Sequence, residues 1–177
     1  MSLALIAALP FFGAVFAALS IRAGRGMATL VAAAFTATAL YGILRKVPQV
    51  LAGETITSSF DWLPQLGLNA EFRLDGLGVL FALLILGIGL LIQLYARFYL
   101  DASDPYGRFI AFLMLFQGAM LGIVLSDNIL LLLVFWEMTS LSSFLLIGFW
   151  SHLSQGRQGA RMALAITGSG GLAMIAG

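Results

Sequence analysis

Six stretches of the chain carry almost no charge: 1–21, 26–44, 76–96, 109–125, 128–150 and 162–177. The first five approach the roughly 20 residues that an α-helix, rising ~1.5 Å per residue, needs to cross a ~30 Å hydrocarbon core. They are not barrel strands, because they lack the alternation that lipid-facing and lumen-facing positions impose. In lipid every backbone N–H and C=O must be satisfied within the protein, which leaves helices. Composition agrees: 10% of residues are charged, against roughly 25% in a soluble domain, too little polar surface to cover a water-soluble globule. The chain is therefore predicted to be all-α, a polytopic transmembrane helix bundle forming one membrane domain over 1–177. Its spans fall at about 2–21, 26–45, 76–97, 108–125, 128–150 and 160–177. The sixth is expected to be incomplete, the whole being the leading part of a larger subunit.

The loops set the orientation. Arg22, Arg25, Arg97, Arg108, Arg157 and Arg161 fall on one side, and Arg45, Lys46 and Arg73 on the other. The excess of basic residues marks the cytoplasmic face, which puts the N-terminus outside. A cleaved signal peptide is the rival reading of 1–21, but its basic leading segment is missing, the first Arg lying beyond the apolar run. The loop at about 46–75 is then external, and alternating pieces such as Glu71-Phe72-Arg73-Leu74 among turn formers predict a small hairpin over the outer mouth. Pro10 is expected to kink or thin the first helix. Trp62 and Tyr99, near span ends, suit interfacial anchoring. A net charge of +1 without basic runs gives no hint of nucleic acid as a partner. Cysteine is absent, which excludes disulfides, thiolate metal sites and a Cys nucleophile.

Within 128–150 the one charged residue is Glu137, roughly 13–14 Å along the helix from Asn128 and so near mid-membrane. A charge at that depth costs a few kcal/mol or more, and such residues face a bundle interior or a water path. A carboxyl group between apolar surroundings, which favour its neutral form, and a cation, which favours its charged form, loads and releases protons near working pH. The plainer reading is a structural Glu that holds helices together. Three and four residues away lie Leu133, Val134, Ser140 and Leu141, with Ser143 flanking, so hydroxyls at Ser140 and Ser143 are candidates to line a path. The turn before the fifth span is short, making spans four and five antiparallel neighbours. Gln117 then comes out level with Glu137, and a hydrogen bond joins them if both face the shared seam.

Other polar groups have ordinary explanations. Gln93, Thr36, Thr38 and Gln117 suit interhelical hydrogen bonds worth ~0.6 kcal/mol each. Gly118 and Gly122 form a small-xxx-small spacing that permits close helix contact. His152 lacks a second ligand at metal spacing and reads as an interfacial residue, although a proton relay at the inner mouth is open to it. Asp127 is expected to cap the fifth span. The run 168–173 fits G-x-G-x-x-A, yet the dinucleotide fingerprint needs a preceding strand and a soluble βαβ unit. No metal or cofactor is expected, and no hydrolase elbow is present.

The run Ser126-Asp127-Asn128-Ile129-Leu130, continuing through Phe135-Trp136-Glu137-Met138-Thr139-Ser140 to Trp150, closely resembles the fifth span of the antiporter-like membrane subunits. This superfamily includes the large MrpA protein of the Mrp-type multisubunit Na+/H+ antiporter and the large membrane subunits of respiratory complex I. Phe72-Arg73-Leu74-Asp75-Gly76-Leu77, followed by Phe81-Ala82-Leu83-Leu84, resembles the start of their third span. The resemblance implies that Glu137 is the acid of a half-channel, paired with a Lys on a later, interrupted helix. The one Lys here, Lys46, is in the loop, so the partner is expected outside this sequence. It also implies two inverted five-helix repeats, of which this chain would supply the leading helices and the beginning of the first. Complex I chains tend to place an Asp after a Gly in the sixth span; the run 166–173 has none and looks more like the MrpA type.

The expected function is thus that of a membrane subunit of a monovalent cation (Na+)/proton antiporter, a secondary transporter rather than an enzyme, in a bacterial plasma membrane. Its expected partners are the other subunits, protons, monovalent cations and the lipid bilayer. The alternatives are a proton-pumping subunit of an NADH-quinone oxidoreductase and an assembly module without transport of its own.

Overall fold

Short polar residues start the long helices. Ser2 accepts a hydrogen bond from Leu5 N (3.3 Å) ahead of α1 (Leu3–Ser20), and Asp75 from Gly78 N (2.9 Å) ahead of α4 (Gly76–Tyr99). Asn128 accepts from Leu130 N and Leu131 N (3.0 and 3.2 Å) ahead of α6 (Ile129–Ile147). Each cap satisfies N–H groups that the helix itself leaves open. The cap of α6 is therefore Asn128 and not Asp127 as expected, because Asn128 is the last extended residue before the helical dihedrals begin. Asp127 instead faces Arg73 at 3.9 Å.

This computed structural model describes residues 1–63, 65, 67–150 and 152–176. After α1 a 3-10 turn, Ile21–Ala23, leads to Gly24, whose φ of 107° suits glycine, and to α2 (Arg25–Leu44). The short α3 (Val47–Leu51) precedes β1 (Ile56–Leu63) and β2 (Leu68–Leu74), an antiparallel hairpin pairing Ile56 with Leu74 and Phe60 with Ala70. Then come α4, α5 (Tyr106–Leu125), α6 and α7 (Ser154–Ala176). Five helices are long and apolar enough to cross a membrane: Leu3–Ala23, Arg25–Leu51, Gly76–Tyr99, Tyr106–Leu125 and Ile129–Ile147. The sixth expected span begins earlier than anticipated, at Ser154, and its first turns carry Gln155, Arg157, Gln158 and Arg161. The fifth closes earlier than expected, at Ile147, with Gly148 after it. α1 runs on through Pro10, which is buried.

α5 is the hub, packed against α1, α2, α4 and α6, and α7 lies on α6. Around it the core divides into two apolar halves. The half under the hairpin contains Leu3, Ile6, Ile43, Phe72, Leu74, Leu86, Leu121 and Leu125. The other contains Ala17, Ala28, Ala32, Ala96, Tyr106, Ile110 and Met114. Between them lies a buried polar layer joining α2, α4 and α5. Gln93 Nε2 donates to Thr36 Oγ1 and Gln117 Oε1, both at 2.8 Å, and Gln117 Nε2 donates to Ile85 O at 3.3 Å. These three residues thus make the interhelical bonds expected of them, whereas Thr38 bonds Ala34 O of its own helix.

The hairpin is tied to the α5–α6 turn. Phe72 pairs with Ser126 as an isolated bridge, Asp127 N donates to Glu71 O (2.8 Å), and Asn128 Nδ2 donates to Gly67 O (2.9 Å). Phe72 and Leu74 point into the bundle while Arg73 stays exposed, the period-two alternation of a half-buried strand. Replacing Phe72 by Ala is expected to cost about 3 kcal/mol, whereas Gln93→Leu should cost only ~0.6 kcal/mol. Denaturant titration of the two variants in the same micelles checks the ranking, and equal losses would contradict it.

Candidate functional site

The direction in which Glu137 points is set two residues earlier. The ring of Phe135 lies over Gly122 of α5, where any Cβ would overlap it, and stacks on Phe11 of α1 with centroids 6.3 Å apart. Phe72 of the hairpin approaches the same ring from above, at 6.4 Å. Gly118, one turn before Gly122, takes the ring of Phe11, whose Cε2 lies 2.9 Å from the site of a Cβ. The small-xxx-small spacing of α5 is therefore a pair of aromatic seats. Residues two apart on a helix are separated by ~200°, so with Phe135 turned into α1 and α5, Glu137 is turned away from them.

Glu137 is exposed on the outer side of α6 and lies along α7. Glycines there make room for it: a Cβ at Gly171 would overlap the carboxylate and come within 3.0 Å of Trp136 Cδ1, and one at Gly168 would sit 3.9 Å from Glu137 Oε2. Trp136 Nε1 donates to Thr167 O at 3.4 Å, holding the two helices at this level. The run 168–173 is thus helical, inside α7, and two of its glycines form the floor beneath an acid. Among the described residues no cation pairs with Glu137; the ion pairs are those of Arg73 with Asp75 (3.5 Å) and Asp127 (3.9 Å), outside the bundle.

The hydroxyls around the acid bond back to their own helix. Thr139 Oγ1 (2.6 Å) and Ser140 Oγ (3.3 Å) both donate to Trp136 O, and Ser142 Oγ donates to Met138 O (2.7 Å). Ser140 is 3% exposed and Ser143 half-buried. Such back-bonding competes for the carbonyls of the α6 ladder and bends helices, and here it centres on the peptide next to Glu137. Gln117 does not belong to this group. Its amide faces α2 and α4, bonded to Thr36, Gln93 and Ile85, so the expected hydrogen bond to Glu137 is not made: the two residues share a depth but not a seam. His152 is exposed in the α6–α7 connection. Among the described residues no three His, Asp or Glu side chains gather as metal ligands.

Sequence reasoning found the acid and its level but missed Phe135, Gly168 and Gly171, which aim and seat it. The available signal was a pair of glycines three apart, Gly168 and Gly171, in an apolar helix adjoining the acid-bearing span. The chain has no cysteine of its own, so introduced pairs report cleanly. Glu137→Cys with Gly171→Cys should cross-link through a short thiol reagent, whereas Glu137→Cys with Gln117→Cys should not. The reverse pattern on a denaturing gel would mean that α6 is turned the other way.

Known proteins share this arrangement of helices. Residues 62–110 match a family described as NADH-ubiquinone oxidoreductase (complex I), chain 5 N-terminus. A probable K(+)/H(+) antiporter protein of Rhizobium meliloti (strain 1021), of the fused A/B type, is 47% identical over 168 residues, covering 95% of this chain. The A1 protein of a Na(+)/H(+) antiporter of Staphylococcus aureus (strain bovine RF122 / ET3-1) is 47% identical over 135 residues, covering 76%. The chain spans 17% of the length of each of these relatives. Among solved structures, a chain of the Mrp complex from Dietzia sp. DQ12-45-1b superposes with a TM-score of 0.87 at 33% identity, over 98% of this chain and 18% of that one. A chain of an archaeal membrane-bound sulfane sulfur reductase shares the fold, with a TM-score of 0.79 at 20% identity over 97% of this chain and 26% of that one.

Proposed function

Because this chain belongs to the antiporter-like membrane subunits, the group of the MrpA-type antiporter chains, we propose that it serves monovalent cation/proton antiport and that Glu137 passes the proton. The carrying observation is the carboxylate at mid-span on α6, seated over the glycines of α7 with no cation among the described residues beside it. Such a group does not persist against acyl tails, since a charge there costs a few kcal/mol or more. In the working subunit, the outer face of α6 and α7 is covered by further helices of the same subunit, which bring water and a basic group to it. Protonation then follows the balance between that base and the apolar surroundings. Ser140 and Ser143 flank the route, and the carbonyl at Trp136, already shared by two hydroxyls, is a second acceptor for water beside it. Gln117 belongs to the structural layer and has no part in the route.

The wider reading follows the relatives. The partners are the other subunits of an antiporter complex, the membrane is the bacterial plasma membrane, and the N-terminus is external, as the distribution of arginines favours. The printed names of the relatives divide between K+ and Na+, so both ions belong in the test. In everted vesicles carrying the complete complex, Glu137→Gln should lower proton-coupled efflux of the transported ion about 100-fold, the scale of a lost proton-transfer group. Glu137→Asp should retain part of it. Undiminished exchange by a normally assembled Glu137→Gln complex would remove the role.

The match of residues 62–110 to a complex I family favours a second reading, a pump subunit driven by quinone reduction. It is distinguished by NADH-dependent electron flow, which should then require the complex containing this chain.

A further inference from the structure

At the end of the bundle away from the hairpin, a cavity of about 650 Å³ opens between the end of α1 and the start of α5. Its polar wall includes the guanidinium groups of Arg25 and Arg108, and its apolar wall Ala18, Ile21, Ala111 and Phe112. Arg25 is fixed. Its nitrogens donate to the carbonyls of Leu100, Asp101 and Asp104, and it lies over the Tyr106 ring, 5.4 Å from the centroid. Those partners are neutral, so its positive charge is held in place without being cancelled. Arg108 is exposed at the rim and rests over Phe112, 5.8 Å from its centroid. The acid in the lining, Asp104, is turned to other donors: Oδ1 accepts from Trp150 Nε1 at 3.0 Å and Oδ2 from Asp101 N at 3.1 Å. Among the described residues, neither Arg25 nor Arg108 has a carboxylate at salt-bridge distance.

We propose that this cavity seats the headgroup phosphate of an anionic phospholipid. Position, charge and shape support this occupant. The cavity lies where two membrane spans end, and so at the level of headgroups. Two uncancelled cations suit a phosphate. The small residues Ala18 and Ala111 with Ile21 make a strip along α1 and α5 on which the glycerol and first acyl carbons lie, a wall for which a free phosphate has no use. Arg25 also ties the α4–α5 loop to the start of α2, so a lipid bound here joins α1, α2 and α5 at one end.

The test uses the complete complex in phosphatidylcholine vesicles containing a photoactivatable phosphatidylglycerol, with peptide mapping of the attached label. Label is expected on the first turns of α5 and at the end of α1. Arg108→Gln should lower it about fivefold, since a basic residue near an anionic surface is worth ~1 kcal/mol. Arg108→Lys should keep most of it, and Arg45→Gln, at the other end, all of it. Unlabelled phosphatidylglycerol should compete, and inorganic phosphate should not. Equal labelling by a phosphatidylcholine analogue, or no effect of Arg108→Gln, would overturn the proposal. So would displacement by inorganic phosphate, which would make this a free-anion site, or no label in this region, which would mean that another protein of the complex covers it.

Discussion

The contact between Phe135 and Gly122 decides which way α6 faces, and the remaining chemistry follows from that. A helix carrying one acid among apolar residues has two faces of nearly equal hydrophobicity, and lipid alone does not choose between them. The ring of Phe135 fits only where α5 lacks a side chain, with Phe11 and Phe72 closing round it. Once it is seated, Glu137 turns outward onto α7, where Gly168 and Gly171 leave space for a carboxylate. The constraint is steric and located in the membrane, where close packing rather than exclusion of water holds helices together.

The same logic governs the rest of the bundle. Small residues let α1, α2 and α5 approach: Ala14, Ala17, Ala28 and Ala32 are all buried, and Gly13 meets Met114 and Phe35. Polar atoms within the spans are paired across helices, as in the Thr36–Gln93–Gln117 layer, or returned to the carbonyl one turn back, as at Ser140 and Thr167. The hairpin fixes the turn between α5 and α6 from outside, so the helix that seats Phe135 and the helix that carries it are joined at their common end.

Much of this is legible in the sequence. The apolar runs locate the five spans within a few residues, and the alternation around Phe72 and Leu74 locates the hairpin. The depth of Glu137 follows from counting along the helix. What it faces does not, because α5 is buried on several sides at once and its pattern names no preferred neighbour; depth alone therefore suggests a Gln117–Glu137 seam, when Gln117 faces α2 and α4. Asp127 and Asn128 are both capping residues by type, and only backbone geometry distinguishes them. The start of α7 is hidden for a third reason: it is polar, and hydropathy detects a span rather than a helix.

The outer face of α6 and α7 is where function and folding meet, since an acid is stable there only if protein and water cover it. A spin label attached to Glu137→Cys in the complete complex, within a bilayer, measures this directly. Relaxation by a water-soluble paramagnetic complex should exceed relaxation by oxygen dissolved in the acyl chains. Stronger relaxation by oxygen would put position 137 against lipid and contradict proton passage through it.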